Sequence, residues 1–351
     1  MRFAFTDQQL EFRDAVRQVL TKECTTADVR AAFEDPGTPS GRWAALADMG
    51  IIGMTVPENL GGLGLSLIDV VPLVEEAGRV ALPEPLGLTV GVAAPLLTAC
   101  VSGDDADASA RARTWLERIA GGDAAAAIGT HAGPDVPVAG AAGANLLLMT
   151  AIGPEGPVVH AVAGTDVSIT PVSTLDPTRR LASVAWQPGT DTVVASAPLS
   201  PALLERTAQR AAVITAAELL GLAEAMIDMT AAYAKERQQF GKPIGSFQAI
   251  KHLLAGAQVV LEFARPTVYG AAWALDHDEA DAGRSASVAK AYASEAALEA
   301  ARVSLQVHGA IGYTWECDLQ LFLKRSWALA EAWGSASDHR ALVLESLLAV
   351  R

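Results

Sequence analysis

The stretch Arg237–Lys251, RQQFGKPIGSFQAIK, sets a guanidinium directly before a Gly/Pro turn that leads into an amphipathic segment. Two chemistries suit that arrangement. A permanently charged guanidinium with paired donors can hold an anion. Placed after a helix, the same group can serve the carbonyl end of that helix and its dipole. Other reactive residues are dispersed. The six histidines show no ligand spacing, so metal catalysis is not expected. Cys24, Cys100 and Cys317 are far apart and form no CxxC pair, which suits a reducing compartment and excludes a zinc ribbon or a disulfide framework. The glycine-rich GGLG at Gly61–Gly64 follows no β-prone run and reads as an inter-helix turn rather than a phosphate loop.

The elements that must position Arg237 come in three groups. Thr6 opens the first helix with Gln9 three residues on, as in a capping box, and Phe5 and Leu10 are spaced for a hydrophobic staple. Further helical patterns cover Gly41–Met49, Ser66–Gly78 and Asp107–Ala120. From Ala124 to Val194 short β-prone runs replace them: Ala144–Met149, Val158–Val162, Val167–Pro171, Ala182–Trp186 and Thr192–Ala195. Their Gly, Pro and Asp punctuation predicts a small sandwich or barrel. Ser200-Pro201 then suits an N-cap and first helical residue, opening a helix of about 36 residues, roughly 54 Å. Ser246–Asp276 (with Pro266 inside as a candidate kink), Gly283–His308, Asp318–Ala332 and Ser337–Val350 follow as helices. The expected fold is α+β: an N-terminal helical domain (1–121), a small, shortened middle β domain (122–198) and a C-terminal helical bundle (199–351).

Composition narrows the function classes. Of 351 residues 51% are hydrophobic and 19% charged, so much surface must be buried, part of it between subunits. A net charge of −14 with no basic patch argues against nucleic acid. The longest apolar run, Leu86–Leu97, is broken by Gly87, Gly91 and Pro95 and is too short to span a bilayer. The start, MRFAFTDQQLEF, turns polar within a few residues and does not read as a signal peptide, so a cytoplasmic location is expected.

Four stretches carry a family resemblance: GIIGMTVPENLGGLGLS (Gly50–Ser66) with VVPLVEEAGRVALPEPL after it, ERQQFGKPIGSFQAIKHLLA (Glu236–Ala255), and QVHGAIGYTWECDLQLFLKR (Gln306–Arg325). With these, over essentially its full length, the chain resembles the acyl-CoA dehydrogenase flavoproteins. The resemblance implies FAD as cofactor, an acyl-CoA thioester as substrate and an electron-transfer flavoprotein as acceptor. It assigns Arg237 to the pyrophosphate of a neighbouring subunit's FAD, with Gln239 and the Phe240 backbone as further donors. Ile244, Phe247 and Ile250 would form a shelf for the adenine and ribose. Gln306, Gly309 and Ala310 would approach the same ADP moiety, Ala310 standing where the family usually has a second glycine.

The resemblance also marks what is missing. The family's reaction removes an α-proton with a glutamate while a hydride leaves the β-carbon, and the two places where that glutamate stands fall here at Ala211 and Trp333. Neither can act as a base. Glu218 and Glu331 lie near these places, and they read as solvated or helix-pairing charges; no catalytic residue is assigned. The middle region, Ala124–Met149, is shorter than the family's flavin-ring loop and strand, with Thr130, His131 and Asp135 as its polar side chains. The expectation is a subunit of an α2β2 acyl-CoA dehydrogenase of the kind associated with steroid side-chain degradation, paired with a homologous glutamate-bearing chain. A self-sufficient homo-oligomer with a relocated base, and a non-catalytic scaffold of the same fold, are the alternatives.

Overall fold

The computed structural model describes residues 4–37, 40–129 and 136–349. Thr130, His131 and Asp135 lie outside the described residues. Twelve helices are described: α1 (Asp7–Glu23), α2 (Thr26–Glu34), α3 (Arg42–Asp48), α4 (Leu67–Arg79), α5 (Leu86–Leu88), α6 (Ala94–Val101), α7 (Ala106–Ala120), α8 (Leu199–Glu236), α9 (Gln248–Asp276), α10 (Ala282–His308), α11 (Leu319–Glu331) and α12 (Ala336–Ala349). Between α7 and α8 run β1 (Ala126–Gly129), β2 (Leu146–Gly153), β3 (Gly156–Ala163), β4 (Ser168–Pro171), β5 (Ala182–Ala185) and β6 (Val193–Ala195). A two-residue hairpin, β7 (Gln238–Gln239) and β8 (Lys242–Pro243), follows α8. Among the described residues no helix is long and apolar enough to cross a membrane.

The chain divides into two compact units. The first holds the residues up to Arg30, Val71–Leu82 and everything from Ala212 on. Its centre is α10, whose buried alanines and serines lie on all sides, as befits a helix surrounded by others. Small residues there let α9, α11 and α12 pack close. α4 and α8 meet at backbone contact: a Cβ on Gly78 would lie 2.2 Å from the Glu218 carbonyl oxygen, and one on Gly221 1.9 Å from that of Glu75. Around this crossing Arg79 pairs with Glu224 at 2.6 Å, Arg265 with Glu75 and Glu224, and the Tyr269 hydroxyl donates to Glu75 at 2.6 Å. α1 opens with the reciprocal Thr6–Gln9 box, while the Phe5 ring sits edge-on against Tyr269 at 4.8 Å.

The second unit holds Ala31–Val70 and Pro83–Ala211. β1, β2, β3 and β6 form one sheet in that order, β1 parallel to β2 and the rest antiparallel; β4 and β5 form a second, antiparallel pair. Ala127, Leu147, Met149, Val162, Ala182 and Val184 cluster in its core, giving the small sandwich that the turn spacing predicts.

Three local features depart from the sequence reading. α2 forms behind its own box, in which Thr25 and Asp28 exchange backbone and side-chain hydrogen bonds. The interrupted apolar run after Pro85 is helical too, α5 passing into α6 through a π-helical turn at Thr89–Ala93. Ser200 lies inside α8 rather than capping it: the helix begins at Leu199, and the Ser200 hydroxyl donates to the Pro157 carbonyl. The expected turn at Gly61–Gly64 is a turn, and its backbone N–H groups are already used. Gly62 donates to Pro57, Leu63 to Gly53 and Gly64 to Val56, which leaves none to cradle a phosphate.

Candidate functional site

Arg237 is the first residue beyond α8. Its N–H still donates to the Tyr233 carbonyl at 2.8 Å, and its own carbonyl accepts from Ile244 at 2.8 Å, so the backbone is fixed on both sides. The side chain is exposed, and among the described residues its guanidinium has no hydrogen bond or ion pair. It does not close the end of α8. The hairpin that follows turns on Phe240 (φ 54°) and Gly241 (φ 78°), the two positive-φ positions of a tight two-residue turn. A phenylalanine in the left-handed region is strained by about 1–3 kcal/mol, and here the ring is 91% exposed, so burial does not compensate.

Phe247 lies edge-on to Phe240, ring centroids 6.1 Å apart, with the Lys242 ammonium 4.5 Å from its own ring. Ile244, Phe247 and Ile250 are half-buried and open to solvent on one side. Gln239 is exposed, and its amide donates to the Gln238 carbonyl at 2.8 Å.

The second cluster sits where α10 ends. Gln306, Gly309 and Ala310 are exposed. Gly309 has φ 63° and ψ −140°, a conformation essentially reserved for glycine, and a Cβ there would meet nothing within 4 Å. The outer face of this turn is open. The two clusters belong to one bundle: the His308 ring stacks on Tyr233 at 4.3 Å.

The two places where a base would stand are filled differently. Ala211 is fully buried in α8. Trp333 follows α11 with φ 61° and is succeeded by Gly334 at φ 102°. That turn is held from inside. The Lys290 ammonium, with 0% exposure, donates to the carbonyls of Ala330 (2.8 Å) and Gly334 (2.9 Å) and to the Ser294 hydroxyl (3.0 Å), and His339 Nε2 donates to the Trp333 carbonyl at 3.0 Å. Burial lowers the Lys290 pKa to about 8, opposed by the charges of Glu331 and Asp338. Burial likewise lowers that of His339. Lys290 shares the alanine-rich α10 with Arg284 and Arg302, and no motif marks it in the sequence.

Neither neighbouring glutamate is poised as a base. Glu218 is spent on Arg325, 2.8 Å away, whose buried guanidinium also donates to the Leu82 carbonyl at 3.0 Å. It is helix-pairing rather than solvated. Glu331 is exposed.

Residues 6–123 match the family model of the acyl-CoA dehydrogenase N-terminal domain, and residues 202–348 that of the acyl-CoA dehydrogenase C-terminal domain. The chain is 35% identical over 328 residues to the acyl-CoA dehydrogenase IpdE2 of Mycobacterium tuberculosis, covering 93% of this chain and 92% of the relative. Among solved structures it is similar to the ChsE4–ChsE5 complex of M. tuberculosis (TM-score 0.84, 23% identity, 99% of each chain). It is also similar to the Tcur3481–Tcur3483 steroid ACAD G363A variant (TM-score 0.79, 26% identity, 97% of this chain and 98% of that one).

Proposed function

The chain belongs to the acyl-CoA dehydrogenase family, and from that premise we propose that it is the cofactor-completing subunit of a heteromeric, FAD-dependent acyl-CoA dehydrogenase. Its partner is a homologous chain that carries the catalytic glutamate, in an α2β2 assembly. The substrate class is an acyl-CoA thioester, dehydrogenated between its α- and β-carbons. Electrons then pass to an electron-transfer flavoprotein. The observation that carries this reading is the contrast between an exposed Arg237, unpaired among the described residues, on a strained hairpin and a chain with no carboxylate at Ala211 or Trp333.

FAD, when bound, supplies the hydride acceptor. The side chains of this protein fit its ADP half. Arg237 offers a fixed positive charge with paired donors to a pyrophosphate, and a guanidinium needs no deprotonation control to do so. Gln239 and the Phe240 N–H add neutral donors. Ile244, Phe247 and Ile250 give the adenine an apolar surface, and the open Gly309 backbone lets a nucleotide come close, with Gln306 and Ala310 beside it. None of these groups can take a proton from carbon. A methyl group at 211 and an indole at 333 cannot either, so proton abstraction falls to the partner.

The names of two similar structures, one a two-component complex and one a steroid ACAD, support a heteromeric reading. Flavin content tests the proposal. Expressed alone the chain should be colourless or poorly soluble, and it should become yellow when co-expressed with a glutamate-bearing homologue. A flavin-saturated homo-oligomer active by itself on acyl-CoA would overturn it.

A further inference from the structure

We propose that the stacked pair Tyr233–His308 positions the two halves of the nucleotide grip, the Arg237 hairpin and the Gly309 turn, relative to each other. This inference rests on the ADP-binding reading above. Tyr233 is in the last turn of α8, and its carbonyl receives the Arg237 N–H at 2.8 Å. His308 is the last residue of α10, directly before Gly309. One ring therefore lies a single helical turn from Arg237, and the other is bonded in sequence to Gly309. The rings are 4.3 Å apart and 15° from parallel.

The imidazole is itself held. His308 is buried, and its Nδ1 lies 2.8 Å from the Ser304 carbonyl, which can only accept, so Nδ1 carries the proton. The Ser304 hydroxyl in turn donates to the Met226 carbonyl of α8 at 3.1 Å, a second tie between the helices two turns back from Tyr233. Burial lowers the His308 pKa, which favours the uncharged ring next to the grip. Its part is to fix a distance. A pyrophosphate bound by Arg237 and a nucleotide resting on Gly309 require that the ends of two separate helices keep one spacing. The stacked faces of two rings fix that spacing before the ligand arrives, which lowers the ordering cost of binding.

The test uses the assembled oligomer stripped of flavin and titrated with FAD. His308→Leu and Tyr233→Leu should each weaken FAD binding by about three- to tenfold, the worth of one aromatic pair. The double variant should be no weaker than the poorer single, because both remove the same contact. His308→Phe keeps a stacking ring without the Nδ1 proton and should stay within about twofold of the parent. Arg237→Ala is the reference. If it weakens FAD binding while both leucine variants bind normally, the positioning inference is overturned alone. If it and the leucine variants all bind FAD normally, the ADP-site reading falls with it. Losses that multiply in the double variant, or a phenylalanine variant as weak as leucine, would make the pair ordinary packing and also overturn the inference.

Discussion

Two turns in this bundle place a bulky aromatic residue at positive φ, and they treat it in opposite ways. Trp333, at 61°, is tied down from within: Lys290 takes the carbonyls on either side and His339 takes its own. Phe240, at 54°, is presented to solvent on a hairpin beside an unpaired guanidinium. Each left-handed aromatic costs of order 1–3 kcal/mol, which something must offset. At Trp333 the offset is visible as hydrogen bonds inside the chain. At Phe240 the hairpin is closed by the Ile244 N–H on the Arg237 carbonyl and by the Phe247 ring edge, while the Phe240 ring itself stays in solvent. On the proposed reading, the first turn serves as architecture and the second is left open for the ADP half of the cofactor.

The largest contrast concerns proton abstraction. Glu331→Gln beside the closed turn should leave flavin bleaching by substrate in a single turnover within about twofold, whereas the same change at the partner's glutamate should lose about 10²–10⁴-fold. A large loss from Glu331→Gln, with assembly and flavin content unchanged, would place a base in this chain.

Next is the pH response of the closed turn. With Lys290 at about 8 in the folded chain and its ordinary 10.5 when unfolded, the unfolded state binds the extra proton between those values. Stability therefore rises as pH goes from about 8 to 10.5, is fully gained above that window and is lost as pH falls through 8, by on the order of 3 kcal/mol. Denaturation midpoints compared with Lys290→Met across the window check this: the parent should gain relative to the variant, and parallel curves would remove Lys290 from the account. Somewhat smaller is Glu218→Gln. It removes the carboxylate charge 2.8 Å from the buried Arg325 guanidinium and should cost about 1.5–3 kcal/mol of stability, less than breaking a fully buried pair because Glu218 keeps some solvent contact. Turnover in the surviving folded protein should be unchanged, as rate and melting measurements on one preparation would show.

Much of this was readable in advance, and the exceptions have physical causes. α8, α9 and α10 announce themselves by long helical periodicity, and the Arg237 and Gln306 segments by their motifs. β1 was not readable. Its AAIG has little strand propensity, and it forms because all four residues are buried, paired with β2 and anchored where the Ala126 N–H donates to the Thr89 hydroxyl at 3.0 Å. The Glu218–Arg325 pair and the Lys290 anchor join residues far apart in sequence, which no local pattern encodes. Ser200 had the right residue type for a cap, but the helix begins at Leu199 and the Ser200 N–H already donates to the Ser196 carbonyl at 3.1 Å, which puts it inside the first turn.

The claim that the open turn serves a cofactor is tested most directly by Arg237→Ala in the deflavinated complex, titrated with FAD. The account predicts binding weaker by about 1.5–3 kcal/mol, roughly ten- to a hundredfold, with the melting temperature of the flavin-free protein unchanged. An unchanged dissociation constant together with a lowered melting temperature would contradict it and return Arg237 to a helix-end role.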